Sequence, residues 1–356
     1  MKDVILTTDL YHQHADPNDH WNLATMFALA NKGWIRFAGI MCDDDRAMSG
    51  DGNFLHFGDP SVQSIAQLNY MTGMAVPVGF GSRMPIKKKE DLDEVLKSKK
   101  KISSVTLLLD TLQRSENKVD IHMCGSCKDV LIAYHYAPDL FEKKCDCIYL
   151  NAGTYAKQEP IEYNVSLEPY AFSQIFKIPC NICWGPCFDE LRPYPYIPEK
   201  HATYYEIEQA DIVPYMSEAT KKFFSYMYGR VFDINWLSYL REPLNEDLLD
   251  DWCHGKGKYN PAFANQGKRQ MWSTPGYLLS AGKYVTEMGE IVDMQEAKKP
   301  IFDYKPIHVQ VTEDGKVQWE RVAQSNIYIF ENTNSELYQH LMGKAIKELI
   351  ASLPNI

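Results

Sequence analysis

Short apolar runs and amphipathic stretches alternate through the first half of the chain. Val4–Thr8, Ile35–Cys42, Val76–Gly79, Val119–Met123, Cys147–Leu150 and Asn181–Trp184 read as buried strands. Between them, Asn18–Asn31, Ser61–Met71, Ser103–Gln113, Lys128–Tyr136 and Pro169–Phe176 carry helical spacing. Strands alternating with helices predict an α/β fold, a mostly parallel central sheet flanked by helices around a Rossmann-like core. The mixed-charge run Lys87–Lys101 reads as a solvated face or loop.

The pattern changes after residue 190. From Glu206 to about Glu246 it is helical and rich in aromatic residues that read as core or lid packing, a few of them free to wall a pocket. Asp250–Gln270 reads as a long loop, a common form of lid. A hairpin follows, Ile307–Val311 turning into Val317–Arg321, then a last strand near Asn326–Phe330 and an amphipathic helix over Ser335–Leu353. No repeat or Pro/Gly-rich linker divides the 356 residues, so the expectation is one domain with a helical and loop insertion at about 190–270.

Composition narrows the function classes. A hydrophobic content of 45% supports a packed core, and a net charge of −10 argues against a nucleic-acid partner, because phosphate contacts need a basic face. No apolar run is long enough to span a membrane, and none resembles a secretory signal, although a leader already removed would leave the same start. Nine cysteines, several inside predicted strands, read as buried thiols of a cytoplasmic protein. Cys124-Gly-Ser-Cys127 has the spacing of a redox motif, and Cys145, Cys147, Cys180, Cys183 and Cys187 could hold zinc. Packing accounts for both groups more simply.

The candidate chemistry lies in Val4–Ala30. A strand ends at Thr8-Asp9, a polar loop with His12 and His14 follows, and Asp16-Pro17 opens a helix bearing Asn18, Asp19 and His20. Parallel sheets bind ligands outside their carboxyl ends, and a helix N-terminus there is electropositive. Asp9, Asp16 and Asp19 would repel one another without a positive charge among them, which Ca²⁺ with its oxygen ligands can supply. Asp43-Asp44-Asp45 adds acid at the same sheet edge.

These residues, in their order, resemble the nucleoside hydrolase family of the inosine-uridine-preferring type. Thr7-Thr8-Asp9, an inserted loop and Asn18-Asp19 stand against the family's Asp-x-Asp-Pro-Gly-x-Asp-Asp. Val76–Gly81, Cys124–Val130 and Leu150–Gly153 look like its next strand ends, and Ile161-Glu162-Tyr163-Asn164 with Glu168-Pro169-Tyr170-Ala171 is the best match, against Glu-Phe-Asn and Asp-Pro-x-Ala. The resemblance covers roughly the first 190 residues in order, and Ser273-Thr274-Pro275 falls where the family has His-Asp-Pro.

The resemblance implies a Ca²⁺-dependent, homo-oligomeric hydrolase of the N-glycosidic bond of a ribonucleoside or related ribosyl compound. Asp9 and Asp19 then correspond to metal ligands, joined by a backbone carbonyl near Cys127 and, at the fourth ligand position, Thr274. Glu162 and Asn164 correspond to residues that hold the ribose hydroxyls, and Asp43 lies where a ribose-binding Asn is kept. Asn18 stands at the general-base position and cannot accept a proton, while Ser273 replaces a histidine that protonates the leaving base. Asp16 either takes over as base or ligand, or caps the helix before Pro17. Asp250, Asp251 and His254 are further candidates to replace the missing groups. Two other readings stay open: a catalytically impaired sugar- or nucleoside-binding protein, and a hydrolase of another glycosyl substrate.

Overall fold

The structure is a computed structural model, and it describes residues 1–10, 17–43, 60–98, 100–156, 159–189, 194, 196–229 and 235–356. Thirteen strands are described: β1 Lys2–Thr8, β2 Ile35–Cys42, β3 Val78–Phe80, β4 Val119–Cys124, β5 Cys145–Asn151, β6 Asn181–Gly185, β7 Tyr205–Glu208, β8 Lys268–Met271, β9 Lys283–Val285, β10 Ile291–Asp293, β11 Phe302–Val311, β12 Val317–Arg321 and β13 Ile327–Asn332. Nine form one sheet in the order β12-β11-β13-β6-β5-β4-β1-β2-β3. From β3 to β13 neighbours are parallel, and β11 and β12 add an antiparallel edge. The chain moves outward from β1 to β2 and β3 on one side, and from β4 to β5 and β6 on the other. The carboxyl ends of β1 and β4 therefore flank the topological switch point, where α/β sheets bind ligands.

Successive residues of β1 feed opposite helical layers, because side chains alternate across a strand. Val4 and Leu6 join a core with Trp21 and Phe27 of the helix Pro17–Asn31 and with Tyr338 and Ile346 of the helix Ser335–Ala351. Ile5 joins the other core, with Leu108 of the helix Ser103–Arg114 and Val130 of the helix Lys128–Tyr136. Both faces of the sheet are thus covered, as a parallel sheet requires. Gly79 permits a close approach on the second face, since a Cβ there would stand 2.7 Å from the backbone of Ser103.

The expected alternation and the hairpin are present. Asp250–Gln270 differs from expectation, whereas the run Lys87–Lys101 keeps its expected solvated face, on a helix. Asp250–Gln270 is not one long loop, because the helix Glu246–His254 enters it and β8 leaves it, pairing antiparallel with β7. The run Lys87–Lys101 contains the helix Lys89–Ser98, whose two buried residues, Leu92 and Val95, are spaced by one turn. Among the described residues no helix is long and apolar enough to cross a membrane.

Candidate functional site

The end of β1 and the start of the helix Pro17–Asn31 are stitched together by Asp19. Its Oδ2 accepts the Thr8 hydroxyl at 3.0 Å and its Oδ1 accepts the Asn22 amide at 3.2 Å, all three residues being buried. A carboxylate in the first helical turn is also favoured by the helix dipole. Asp9, one residue past the strand, is buried as well.

The turn after β4 is held from behind by two acids. Ser126 N–H donates to Asp43 Oδ2 at 2.8 Å, and Ser126 Oγ donates to Glu168 Oε2 at 2.6 Å. The buried Lys128 ammonium lies 3.7 Å from Glu168 Oε1. Burial pushes the Asp43 carboxyl up to about 7 despite Lys128 nearby, and burial also raises Glu168. Cys127 heads the next helix, and its carbonyl accepts Leu131 N–H at 3.2 Å. Burial drives the thiols of Cys124 (to about 12) and Cys127 upward, the opposite of what a redox motif needs. All nine cysteines are free thiols.

Across from these turns stands Glu162, the N-cap of the helix Tyr163–Leu167. It accepts the backbone N–H groups of Gly153 at 2.8 Å, Asn164 at 3.0 Å and Val165 at 3.3 Å. Burial still lifts its carboxyl above the usual range, against those three donors. Asn151, at the end of β5, donates from Nδ2 to Gly185 O at 2.8 Å and to Thr203 Oγ1 at 3.0 Å, and its Oδ1 accepts Ser273 Oγ–H at 2.9 Å. Cys124 Sγ donates to Ser273 Oγ at 3.2 Å. Beyond lies an aromatic group: the ring centroid of Phe188 is 4.5 Å from that of Tyr196 and 5.7 Å from that of Trp272.

Together these elements enclose a cavity of ≈ 330 Å³. Its described lining includes Asp9, Asn18, Asp19, Glu162, Asn164 and Ser273, so these six residues singled out in the sequence meet in one place. Three others are placed elsewhere. Asp43 sits behind the Ser126 turn, Cys127 is buried at a helix start, and Thr274 Oγ1 is bonded to Tyr205 OH at 2.6 Å. His20 lies in the core, 3.4 Å from Ser64 Oγ and beside Phe223. Asp251 accepts Tyr228 OH, Lys258 N and Tyr259 N, while Asp250 pairs with Lys256 and His254. Asp16, His12, His14, Asp44 and Asp45 lie outside the described residues. The aromatic wall of Phe188, Tyr196 and Trp272 has no sequence signature, since its members come from distant segments without periodic spacing.

Asp9 and Asp19 offer hard oxygen donors of the kind Ca²⁺ takes. Among the described residues, however, no group of three His, Cys, Asp or Glu side chains is disposed to hold a metal ion. Such an ion would need most of its remaining ligands from carbonyls, water and the bound molecule.

A mostly parallel sheet flanked by helices, with an acidic cavity at its switch point, defines an α/β fold with one candidate site there. Solved structures give the fold a more specific identity. The purine-preferring ribonucleoside hydrolase of Gardnerella vaginalis is similar over 98% of this chain and 99% of its own, at 12% identity and a TM-score of 0.52. The effector protein XOO4466 is similar over 99% and 94%, at 13% identity and 0.53, and an inosine-guanosine nucleoside hydrolase over 98% and 99%, at 12% and 0.50. The chain has the nucleoside hydrolase-like fold. No protein-family model matches it, and no curated protein matches it in sequence.

Proposed function

We propose that this chain hydrolyses the N-glycosidic bond of a ribonucleoside or related ribosyl compound, assisted by a calcium ion. The observation that carries the reading is the make-up of a single cavity, in which Asp9, Asp19, Glu162 and Asn164 share the lining with Phe188, Tyr196 and Trp272. Carboxylates and amides suit a polyhydroxylated sugar, and ring faces suit a planar base. Asp9 and Asp19 would hold the ion, which when bound would place positive charge beside the sugar hydroxyls and the attacking water. Glu162 and Asn164 would orient the ribose. A cytoplasmic homo-oligomer goes with this reading.

A second reading, a binding protein without turnover, is supported by Asn18, which cannot serve as a base, and by Ser273, whose proton is engaged by Asn151. A ribonucleoside panel with and without calcium separates the two. Free base should be released by the wild type, lost on chelation, and slowed about 10- to 100-fold in kcat/KM by Glu162→Gln, which removes a charge-assisted contact while keeping a capping oxygen. Calorimetric binding without base release favours the second reading. Neither binding nor release with any nucleoside sinks both.

A further inference from the structure

We infer that the preferred substrates of the cavity are ribosyl compounds of a cationic heterocycle, such as a ribosylated pyridinium or an N7-alkylated purine. This rests on the reading above that the cavity holds an N-ribosyl compound, and two independent features lead to it.

The first is the direction of the protons beside the cavity. Asn151 is fixed by its donations to Gly185 O and Thr203 Oγ1, so its Oδ1 is an acceptor and Ser273 must be the donor across their 2.9 Å contact. Ser273 has one proton, and that contact uses it. The Cys124 thiol donates to Ser273 Oγ at 3.2 Å, and with its proton so placed its sulfur receives Tyr277 OH at 3.0 Å. The relay from Tyr277 through Cys124 and Ser273 thus delivers its protons to Asn151. A neutral purine or pyrimidine leaves as an anion and needs a proton from the site. A cationic ring leaves neutral and needs none.

The second feature is charge. The described lining of the cavity contains three carboxyl groups, Asp9, Asp19 and Glu162, and no Lys, Arg or His. It also presents Phe188, Tyr196 and Trp272, whose ring faces attract cations. Glu162 lies close enough to Tyr196 for its charge to add to burial in raising that phenol above its ordinary range. If a divalent ion engages Asp9 and Asp19 and Glu162 orients the ribose, the rings remain for the base, with the Glu162 charge close beside Tyr196. An acidic, aromatic cavity favours a positive ring over its neutral counterpart.

The reaction balances with water as the other reactant. The C1′–N bond breaks with both electrons going to the ring nitrogen, cancelling its positive charge. Water oxygen bonds to C1′, and one water proton passes to a carboxylate and then to solvent. The products are ribose, a neutral base and one proton.

The test compares guanosine with 7-methylguanosine on the full-length protein in calcium, by base release and by calorimetry. The expected result is affinity about 10-fold tighter for the cation and kcat/KM at least about 100-fold higher, with Trp272→Leu and Tyr196→Leu each eroding the affinity preference. Equal affinity and kcat/KM for the two nucleosides would overturn the inference and leave N-glycosidic hydrolysis standing. Binding and release of base from neither overturn both readings. An affinity preference unchanged in both ring variants also overturns the inference, because the cation is then not held by this wall.

Discussion

Gly125 marks the point where three strand ends crowd together. A Cβ there would stand 2.9 Å from Asp43 Oδ2, 3.2 Å from Asp9 N and 3.4 Å from Asp9 Cβ. The Asp43 oxygen has little freedom to retreat, because it accepts Ser126 N–H at 2.8 Å. The turn carrying Cys124 into the cavity is therefore set by the absence of a side chain at one position, with Asp43 as its brace. Gly125→Ala should destabilise the protein by about 1–3 kcal/mol, the usual cost of forcing an extra carbon into a packed site. The brace is tested by a double-mutant cycle in urea: in an Asp43→Ala background Gly125→Ala should cost at least ~0.5 kcal/mol less, as coupled neighbours do. Additive costs would show that Asp43 does not confine the turn.

The helix Pro17–Asn31 is buried on nearly all sides, which is why its sequence has no polar stripe. Trp21 lies 4.6 Å from Phe224, and Phe224 stacks on Trp252 at 5.2 Å, so the helices Glu218–Gly229 and Glu246–His254 form an outer layer over it. The helix Glu246–His254 thus acts through packing, and its polar residues serve local structure. Trp252→Ala should cost about 3–5 kcal/mol, and Asp250→Ala, on an exposed face, within about 0.5 kcal/mol, with ligand affinity at the cavity unchanged in the latter. A large affinity loss in Asp250→Ala would return that residue to the site. Much of the fold was legible because long apolar runs and helical spacing state their burial directly. The pairing of β7 with β8 was not, since Tyr205–Glu208 and Lys268–Met271 are short, charged and far apart in sequence. For the site, strand-end residues such as Asp9 were legible by position, whereas Trp272 and Phe188 gained their roles only when distant segments met. Asp43 showed the opposite limit: an acid at the right sheet edge, yet turned to brace a backbone turn.

At the scale of the whole molecule, the sheet carries polar groups on its inner strand β4, and these contribute to how stability responds to pH. On β4, Asp120 Oδ2 accepts Ser280 Oγ–H at 2.7 Å, and Ser280 Oγ is 2.8 Å from His122 Nε2. Burial raises Asp120 to about 6, with Lys2 opposing, and burial lowers His122 to about 3. The two act in opposite senses. Between about pH 4 and 6 folded Asp120 holds a proton that the unfolded chain has released, so its contribution weakens as pH rises. Over the same window folded His122 is neutral while the unfolded chain is protonated there, so its contribution strengthens as pH rises. In the wild type these slopes offset each other. Asp120→Asn keeps an acceptor for Ser280 and removes one slope, so stability relative to wild type should climb by about 1.4 kcal/mol per pH unit between pH 4 and 6 and then level off. Urea unfolding at intervals across that window measures it directly. A variant that tracks the wild type at a constant offset would mean that Asp120 is already ionised in the folded protein at pH 4, and that Lys2 outweighs its burial.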